Sequence, residues 1–106
     1  MDDAIRNLLS ELKTELKKIY GERLKGVYLY GSYARGEQDS ESDVDVLVVL
    51  DDFEHYGAEV DRTGELGASH SLKYGVSISK VFLRERDWLG GQTPFVVSVR
   101  EEAIAS

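Results

Sequence analysis

The sequence predicts an α/β fold in which a small mixed sheet is flanked by helices. Short apolar runs of strand length alternate with longer stretches whose apolar residues recur at helical spacing. The run over 44–50 is apolar almost throughout, as is typical of a central strand that is covered on both faces. The chain has 106 residues, 42% of them hydrophobic, which suits one domain over 1–106 with one core. This alternation of elements favours an α/β sandwich.

The first half of the chain is predicted to hold two strands, with a long helix before the first and a short helix between them. Lysines enrich the C-terminal half of the long helix, where the helix dipole favours positive charge. Gly21 is typical of a residue that ends a helix. In order, the elements are a helix that Asp2 or Asp3 caps and that runs to about Tyr20, a strand over 24–30, a short helix that Ser32 caps and Gly36 closes, a polar loop over 37–42 and a strand over 44–50.

The second half is predicted to add one longer helix, one strand and two short helical segments. Three glycines interrupt the apolar pattern of the longer helix, and Gly75 is expected to end it. Trp88 is expected to pack inward, whereas His55 and His70 are expected on the surface. In order, the elements are a helix over 53–72, a strand over 76–83, a helical turn over 84–89 and a short helix that Thr93 caps with Pro94 in its first position, followed by a polar stub.

Composition excludes several classes of function. The formal net charge of −7 argues against a general nucleic-acid binder, because such proteins usually present a basic face. The chain has no cysteine and its two histidines are far apart, so a zinc site is not expected. No apolar run approaches the length of a membrane span, and the charged N-terminus does not resemble a signal peptide. We therefore expect a soluble cytoplasmic protein with neither a membrane nor a nucleic acid as its direct partner.

The stretch over 31–45 carries the chemistry that the sequence offers. Gly31 and Ser32 follow the first strand, and a glycine–serine turn presents backbone N–H groups with no side chain in the way of a phosphate. Asp43 and Asp45 lie at the start of the second strand and point to the same face, because side chains alternate along a strand. Two aligned carboxylates are costly unless a cation lies between them. The stretch therefore predicts a phosphate cradle beside a divalent-metal pair.

A magnesium nucleoside triphosphate would bind both to the phosphate cradle and to the aspartate pair of this stretch. Mg²⁺ often takes only one or two protein carboxylates, with phosphate oxygens and waters completing its shell, and Asp43 and Asp45 meet that need. The glycine–serine turn would bind the terminal phosphates, and Arg35 is placed to reach a phosphate or the leaving pyrophosphate. The alternative for Arg35 is a surface residue that pairs with Glu37 or Asp39.

These residues, at these spacings, resemble the signature of the polymerase-beta-like nucleotidyltransferase superfamily. The match consists of Gly-Ser at 31–32, Ala-Arg-Gly at 34–36 and Asp-Val-Asp at 43–45. The short chain and its leading helix resemble the minimal nucleotidyltransferase (MNT) domain. The resemblance implies a mixed sheet and transfer of a nucleoside monophosphate, AMP from ATP, to an acceptor hydroxyl with release of pyrophosphate. Minimal members are often encoded beside a helical HEPN-type RNase and are similar to antitoxins, some of which add AMP to a tyrosine of the partner.

One position departs from the pattern that the resemblance implies. Active members usually carry a third carboxylate on the next strand, whereas the predicted strand over 76–83 contains no acid. Ser77 and Ser79 share a face there, and a hydroxyl is a weaker base and a poorer magnesium ligand than a carboxylate. Lys80 on the same strand either reaches a phosphate or faces solvent at an edge of the sheet.

Two functions therefore compete at this level. The first is a nucleotidyltransferase that moves AMP from Mg–ATP to a hydroxyl of a protein partner, as the antitoxin of a HEPN-type toxin. The second is a catalytically impaired module that binds nucleotide, or only protein, and neutralises its partner by covering it. Gly31, Ser32, Asp43 and Asp45 favour the first, and the missing third acid favours the second. A chain of this size is expected to need a partner, or self-association into a homo-oligomer, to complete the cleft.

Overall fold

The computed structural model describes residues 2–106, and within them the chain alternates helices with the strands of a single sheet. The observed elements follow the predicted order closely. They are α1 (Asp3–Tyr20), β1 (Leu24–Tyr30), α2 (Ser32–Arg35), β2 (Val44–Leu50), α3 (Tyr56–Arg62), α4 (Gly64–Tyr74), β3 (Ile78–Arg84), α5 (Glu85–Gly90), α6 (Pro94–Glu102) and β4 (Ile104–Ala105).

The sheet is mixed, as predicted. Its strand order is β3-β2-β1-β4, in which β1 runs antiparallel to both β2 and β4 while β2 and β3 are parallel. The prediction of a central strand over 44–50 is confirmed, because β2 pairs on both sides and every residue of it except Asp45 is buried. Asp45 is therefore the residue of β2 whose side chain is only half-buried, and it lies near the start of the strand.

The two faces of the sheet carry different helices. Even-numbered residues of β2, from Val44 to Leu50, pack with the apolar stripe of α1, whereas Leu47 and Val49 pack toward Val99 of α6. Because side chains alternate along a strand, Asp45 lies on the same face as Leu47, the face that α6 covers. Ile19 of α1 is exposed and does not belong to the stripe. The buried members of the stripe are Ile5, Leu8, Leu9, Leu12, Leu16 and Tyr20.

Leu12→Ala is expected to lower the free energy of unfolding by about 2–5 kcal/mol, because it leaves a cavity under a side chain that has no solvent exposure. Leu72→Ala on α4 is the matched control, since Leu72 is 86% exposed and its truncation should change stability by less than about 0.5 kcal/mol. Urea unfolding of both variants measures the difference. Equal losses would contradict the packing of α1 onto β2.

The segment between β2 and β3 differs from the prediction of one helix over 53–72. Two helices form there, and they meet at Thr63, whose φ of −109° and ψ of 4° leave the helical range. The Thr63 hydroxyl is fully buried and donates to the backbone oxygen of Glu59 at 3.0 Å. A threonine that bonds back to this carbonyl competes with the helix and bends the chain. β3 begins correspondingly later than predicted, at Ile78.

Two further expectations are wrong because contacts distant in sequence override the local pattern. His70 is buried rather than exposed, with Nδ1 3.0 Å from the Leu66 backbone oxygen. The predicted polar stub contains a short strand, since Ile104 pairs with Leu29. By contrast, Trp88 packs against Tyr28 with ring centroids 4.8 Å apart, as expected of an inward-facing side chain.

The predicted helix boundaries hold at several ends. Asp2 caps α1 by accepting from the Ala4 N–H at 2.7 Å, and Thr93 caps α6 by accepting from the Val96 N–H at 3.3 Å. Gly75 ends the helix before β3. Within residues 2–106, none of the helices combines the length and the apolarity that crossing a membrane would require.

Candidate functional site

Strand topology brings the predicted site residues to one edge of the sheet. β1 ends at Tyr30 where the antiparallel β2 begins, and β3 begins at the same edge because it runs parallel to β2. In register, Asp45 lies between Tyr30 on β1 and Ser79 on β3. The glycine–serine turn, which follows Tyr30 directly, therefore lies beside Asp45 at the start of β2.

The Asp45 carboxylate occupies the space next to Gly31 that a side chain would need. Gly31 has a φ of +76°, and a Cβ added to it would overlap the Asp45 carboxylate. Only a residue without a side chain adopts this backbone conformation at low cost and leaves room for the acid. The predicted phosphate turn and the predicted metal ligand are thus one compact unit.

The predicted helix cap at Ser32 is wrong by one residue. Gly31 is the N-cap of α2, and its carbonyl accepts from the N–H groups of Ala34 at 3.0 Å and Arg35 at 3.1 Å. Ser32 is the first residue of the helix, and within residues 2–106 its hydroxyl has no hydrogen-bond partner. A half-buried serine hydroxyl that the fold does not use is available to a ligand at this turn.

The surroundings of Asp45 disfavour its charged form. Burial is the main factor that raises the pKa of Asp45, and the Asp43 carboxylate raises it further, while the Arg35 guanidinium opposes both. Asp43 itself is exposed. A pair of like charges at one edge of a sheet fits a divalent cation, which would relieve their repulsion. In the described part of the chain, no cluster of three acidic or histidine side chains forms a metal site, so phosphate oxygens and water would complete the shell.

Arg35 and Gly31 are both engaged by a residue that the sequence did not single out. Glu102, at the end of α6, accepts from the Gly31 N–H through Oε1 at 3.0 Å and from Arg35 Nη1 through Oε2 at 3.0 Å. The other side of the guanidinium donates to Glu37 through Nε at 3.2 Å, which is one of the two ion pairs expected for Arg35. The sequence does contain one local signal for Glu102. A carboxylate in the last turn of a helix interacts unfavourably with the helix dipole, so its presence there indicates a positively charged or N–H partner.

The third strand supplies no acid to this edge. Ser79 is the register partner of Asp45, and the backbone oxygen of Ser77 accepts from the Val44 N–H at 2.8 Å. Lys80 pairs with Val46 and so lies on the opposite face, half-buried beneath Gly67 of α4. It lies away from the aspartates, and burial lowers its pKa. Lys80 therefore does not reach a phosphate beside the aspartates, and although β3 is an edge strand its side chain is half-buried rather than facing solvent.

A polar cavity of about 330 Å³ includes Asp43 in its lining. Its lining includes Tyr33, Ser42, Asp43, Ser71 and Ser77, so it opens at the edge where the strands begin. A larger cavity of about 700 Å³ lies among α1, α3 and α4 and includes none of the predicted site residues. Asp43 is the predicted site residue that lines the smaller cavity, whereas Gly31, Ser32, Arg35 and Asp45 are not part of its described lining.

The fold and the site together define a nucleotidyltransferase domain. Residues 9–104 match the nucleotidyltransferase domain family, and the chain belongs to that family. Enzymes of this class generally use a divalent metal ion, and the paired aspartates provide ligands suited to one.

The chain is similar in sequence to proteins named protein adenylyltransferases. A putative protein adenylyltransferase from Methanocaldococcus jannaschii is 35% identical over 81 residues, which cover 76% of this chain and 81% of that protein. The protein adenylyltransferase MntA from Thermococcus cleftensis is 36% identical over 93 residues, which cover 78% of this chain and 90% of that one.

Solved structures with the same fold come from toxin–antitoxin complexes. One is a toxin–antitoxin with AMP-PNP, which matches with a TM-score of 0.63 at 20% identity over 90% of this chain and 69% of that chain. Another is a mutant of the toxin–antitoxin MntA-HpeT, with a TM-score of 0.62 at 19% identity and the same shares covered. Together with the family match, these structures confirm the predicted nucleotidyltransferase fold with its mixed sheet.

Proposed function

We propose that this protein transfers AMP from Mg–ATP to a hydroxyl group of a protein partner. The observation that carries the proposal is the contact between the Gly31 turn and the Asp45 carboxylate, which joins a phosphate cradle to a metal ligand. In the reaction, the acceptor oxygen forms a bond to the α-phosphorus, and the bond from that phosphorus to the bridging oxygen breaks. Pyrophosphate leaves, and the hydroxyl proton is released.

Each predicted site residue has a role in this proposal. Asp43 and Asp45 would hold Mg²⁺, which supplies charge neutralisation for the phosphates when it is bound. The Ser32 hydroxyl and the backbone N–H groups that follow Gly31 would orient the terminal phosphates, since the Gly31 N–H itself donates to Glu102. Arg35 would balance the phosphate charge from its exposed position at the end of α2. Ser79 lies where other members are expected to carry an acid, so the acceptor proton would pass to water or a phosphate oxygen.

The names of the relatives support ATP and a protein acceptor. The Thermococcus relative is named a protein adenylyltransferase, and a solved neighbour is described as a toxin–antitoxin with AMP-PNP, an analogue of ATP. We therefore propose a toxin partner of the HEPN type, whose surface would complete the cleft that this chain leaves open. Alternatively, a second copy of this chain in a homo-oligomer would provide the surface that completes the cleft. The proposal places the reaction in the cytoplasm, where ATP and Mg²⁺ are available.

A second function follows from the absence of an acid on β3 at the position beside Asp45. In it, the chain keeps the fold and binds its partner without transferring a nucleotide. Ser79, the register partner of Asp45, favours this function because a serine hydroxyl is a poor general base. Loss of a general base costs about 10²–10⁴ in rate, which could reduce transfer below any useful level.

Incubation with labelled nucleotide separates the two functions. The protein, Mg²⁺ and the product of the adjacent gene would be incubated with ATP, CTP, GTP or UTP labelled at the α-phosphate. We expect label on the partner from ATP, and none when Asp43→Asn and Asp45→Asn are combined. Absence of label with wild-type protein, together with unchanged partner binding by the double variant, would reject transfer in favour of the binding module.

A further inference from the structure

Glu102 uses both oxygens of its carboxylate on the candidate phosphate turn. Oε1 accepts from the Gly31 N–H and Oε2 accepts from Arg35 Nη1, each at 3.0 Å. Burial alone would raise the pKa of Glu102, but the Gly31 N–H and the guanidinium outweigh it and hold that pKa below its usual value. The carboxylate is therefore ionised at neutral pH and bridges the first residue of the turn to the last residue of α2.

Rigid elements fix the backbone of Glu102. It ends α6, and the next residue, Ala103, donates its N–H to the Val99 backbone oxygen at 2.8 Å. Ile104 then pairs with Leu29 on β1, the strand that leads directly into the turn. The acceptor and its Gly31 donor are thus both attached to β1, and the bridge joins the end of α6 to the start of the turn.

The position of Glu102 is unfavourable apart from this bridge. A negative charge in the last turn of α6 opposes the helix dipole. The same charge also raises the pKa of Asp45, so it adds to the repulsion in the acidic site. Within residues 2–106, the negative charge of Glu102 is stabilised by hydrogen bonds from Gly31 and Arg35, two of the residues proposed to contact the nucleotide.

We propose that Glu102 is a positioning residue for nucleotidyl transfer, an inference that rests on the proposed function. By holding the Gly31 N–H, it fixes the Tyr30–Gly31 peptide and so the start of the turn that would present the Ser32 hydroxyl to a phosphate. By holding Nη1 of Arg35, it restricts the guanidinium to one side of the turn. In the opposite hypothesis, Glu102 occupies the place of a phosphate and must leave before ATP binds. That hypothesis predicts that substitution of Glu102 raises the affinity for Mg–ATP, whereas a positioning role predicts that it lowers this affinity.

The test compares Glu102→Gln and Glu102→Ala, with Glu101→Gln as the matched control because Glu101 is the exposed neighbour on the same helix turn. Glutamine keeps an oxygen for the Gly31 N–H but loses the charge that Arg35 faces. We expect kcat/KM for ATP to fall about tenfold in Glu102→Gln and about 100-fold in Glu102→Ala, since small displacements of a reacting group have effects of this size. Glu101→Gln should match wild type.

A measurement independent of catalysis accompanies the kinetics. The amide resonances of Gly31 and Ser32 in ¹⁵N-labelled protein should shift strongly in Glu102→Ala, much less in Glu102→Gln and not in Glu101→Gln. The Kd for Mg–ATP should rise in the same order. If Glu102→Ala does not fold, Glu102→Gln alone decides, because it preserves the volume of the side chain.

Three outcomes separate the explanations. Unchanged kcat/KM and Kd in a folded Glu102→Ala variant would refute a positioning role, and higher affinity for Mg–ATP would show that Glu102 competes with the nucleotide. If wild-type protein neither transfers nor binds nucleotide, the proposed function fails and, with it, the role in transfer. The amide shifts of Gly31 and Ser32 would then still report whether Glu102 orders the turn.

Discussion

Asp45→Asn is expected to abolish nucleotidyl transfer while raising the melting temperature of the metal-free protein. The variant removes a ligand from the proposed Mg²⁺ site, and loss of several kcal/mol of transition-state stabilisation corresponds to a rate lower by about 10³-fold or more. It also removes a charge that burial and Asp43 both disfavour, as the raised pKa of Asp45 shows. Activity and stability should therefore change in opposite directions.

The pH dependence of this effect has a definite sign. An acid whose pKa is higher in the folded than in the unfolded protein favours folding when protonated, and this contribution is lost as the pH rises through the folded pKa. The gain in melting temperature of Asp45→Asn over wild type should thus be largest at neutral pH and shrink toward about pH 4, where aspartate protonates. Thermal denaturation across this range measures it.

Added Mg²⁺ provides the companion measurement. It should raise the melting temperature of wild-type protein at neutral pH and leave Asp45→Asn unchanged, because a ligand that binds only the folded state stabilises it. Asp61→Asn is the matched control, since Asp61 is an exposed aspartate on α3. Transfer by Asp45→Asn at the wild-type rate, or equal Mg²⁺ stabilisation of both proteins, would contradict the metal role of the aspartate pair.

Much of the fold could be predicted because its signals are local. The apolar stripe of α1 and the continuous run of β2 follow from periodicity within one element, and both elements occur at the predicted positions. The caps at Asp2 and Thr93 depend on a side chain and a backbone N–H only two or three residues away. The aspartates could be placed on one face of β2 for the same reason, since alternation along a strand is a local property.

The parts that could not be predicted depend on residues distant in sequence. Glu102 meets Gly31 across 71 positions, and no periodicity connects a helix end to a turn on another strand. The bend at Thr63 depends on full burial of its hydroxyl, which is set by tertiary packing. His70 is buried by the packing of α1 against α4, since its Nε2 lies 3.9 Å from the Glu11 carboxylate. Each case is one in which tertiary structure overrides local preference.

The third strand shows how far sequence reasoning reaches into the site. Its lack of an acid is a property of the sequence, but the serine that lies beside Asp45 is identified only by register. That residue is Ser79, while Ser77 precedes β3 and holds β2 through its backbone oxygen. The choice between transfer and binding thus depends on whether catalysis tolerates a hydroxyl at the position of Ser79.

Gly31→Ala is expected to damage both stability and activity, because this glycine meets two separate constraints. Its φ of +76° is strained for any residue with a side chain, and the added Cβ would overlap the Asp45 carboxylate. Strain of this kind costs about 1–3 kcal/mol. Displacement of Asp45 from the turn should lower kcat/KM for ATP by about 100-fold or more.

Two other glycines separate these constraints. Gly36, which closes α2, has a φ of +71° but open space around its Cβ position, so Gly36→Ala carries the backbone strain without the overlap. Gly57 in α3 has open space as well and is not among the glycines with positive φ. We expect Gly36→Ala to lose about 1–2 kcal/mol of stability with its activity retained, and Gly57→Ala to be neutral or to gain up to about 1 kcal/mol.

Urea unfolding and transfer kinetics on the three variants give a direct comparison. If the approach of Gly31 to Asp45 builds the site, only Gly31→Ala loses activity beyond what its stability explains. Equal losses of activity in Gly31→Ala and Gly36→Ala would mean that backbone strain around α2, rather than contact with the carboxylate, governs the site. The comparison thus tests whether the phosphate turn and the metal pair act as one unit, which is the physical basis for assigning nucleotidyl transfer to this edge of the sheet.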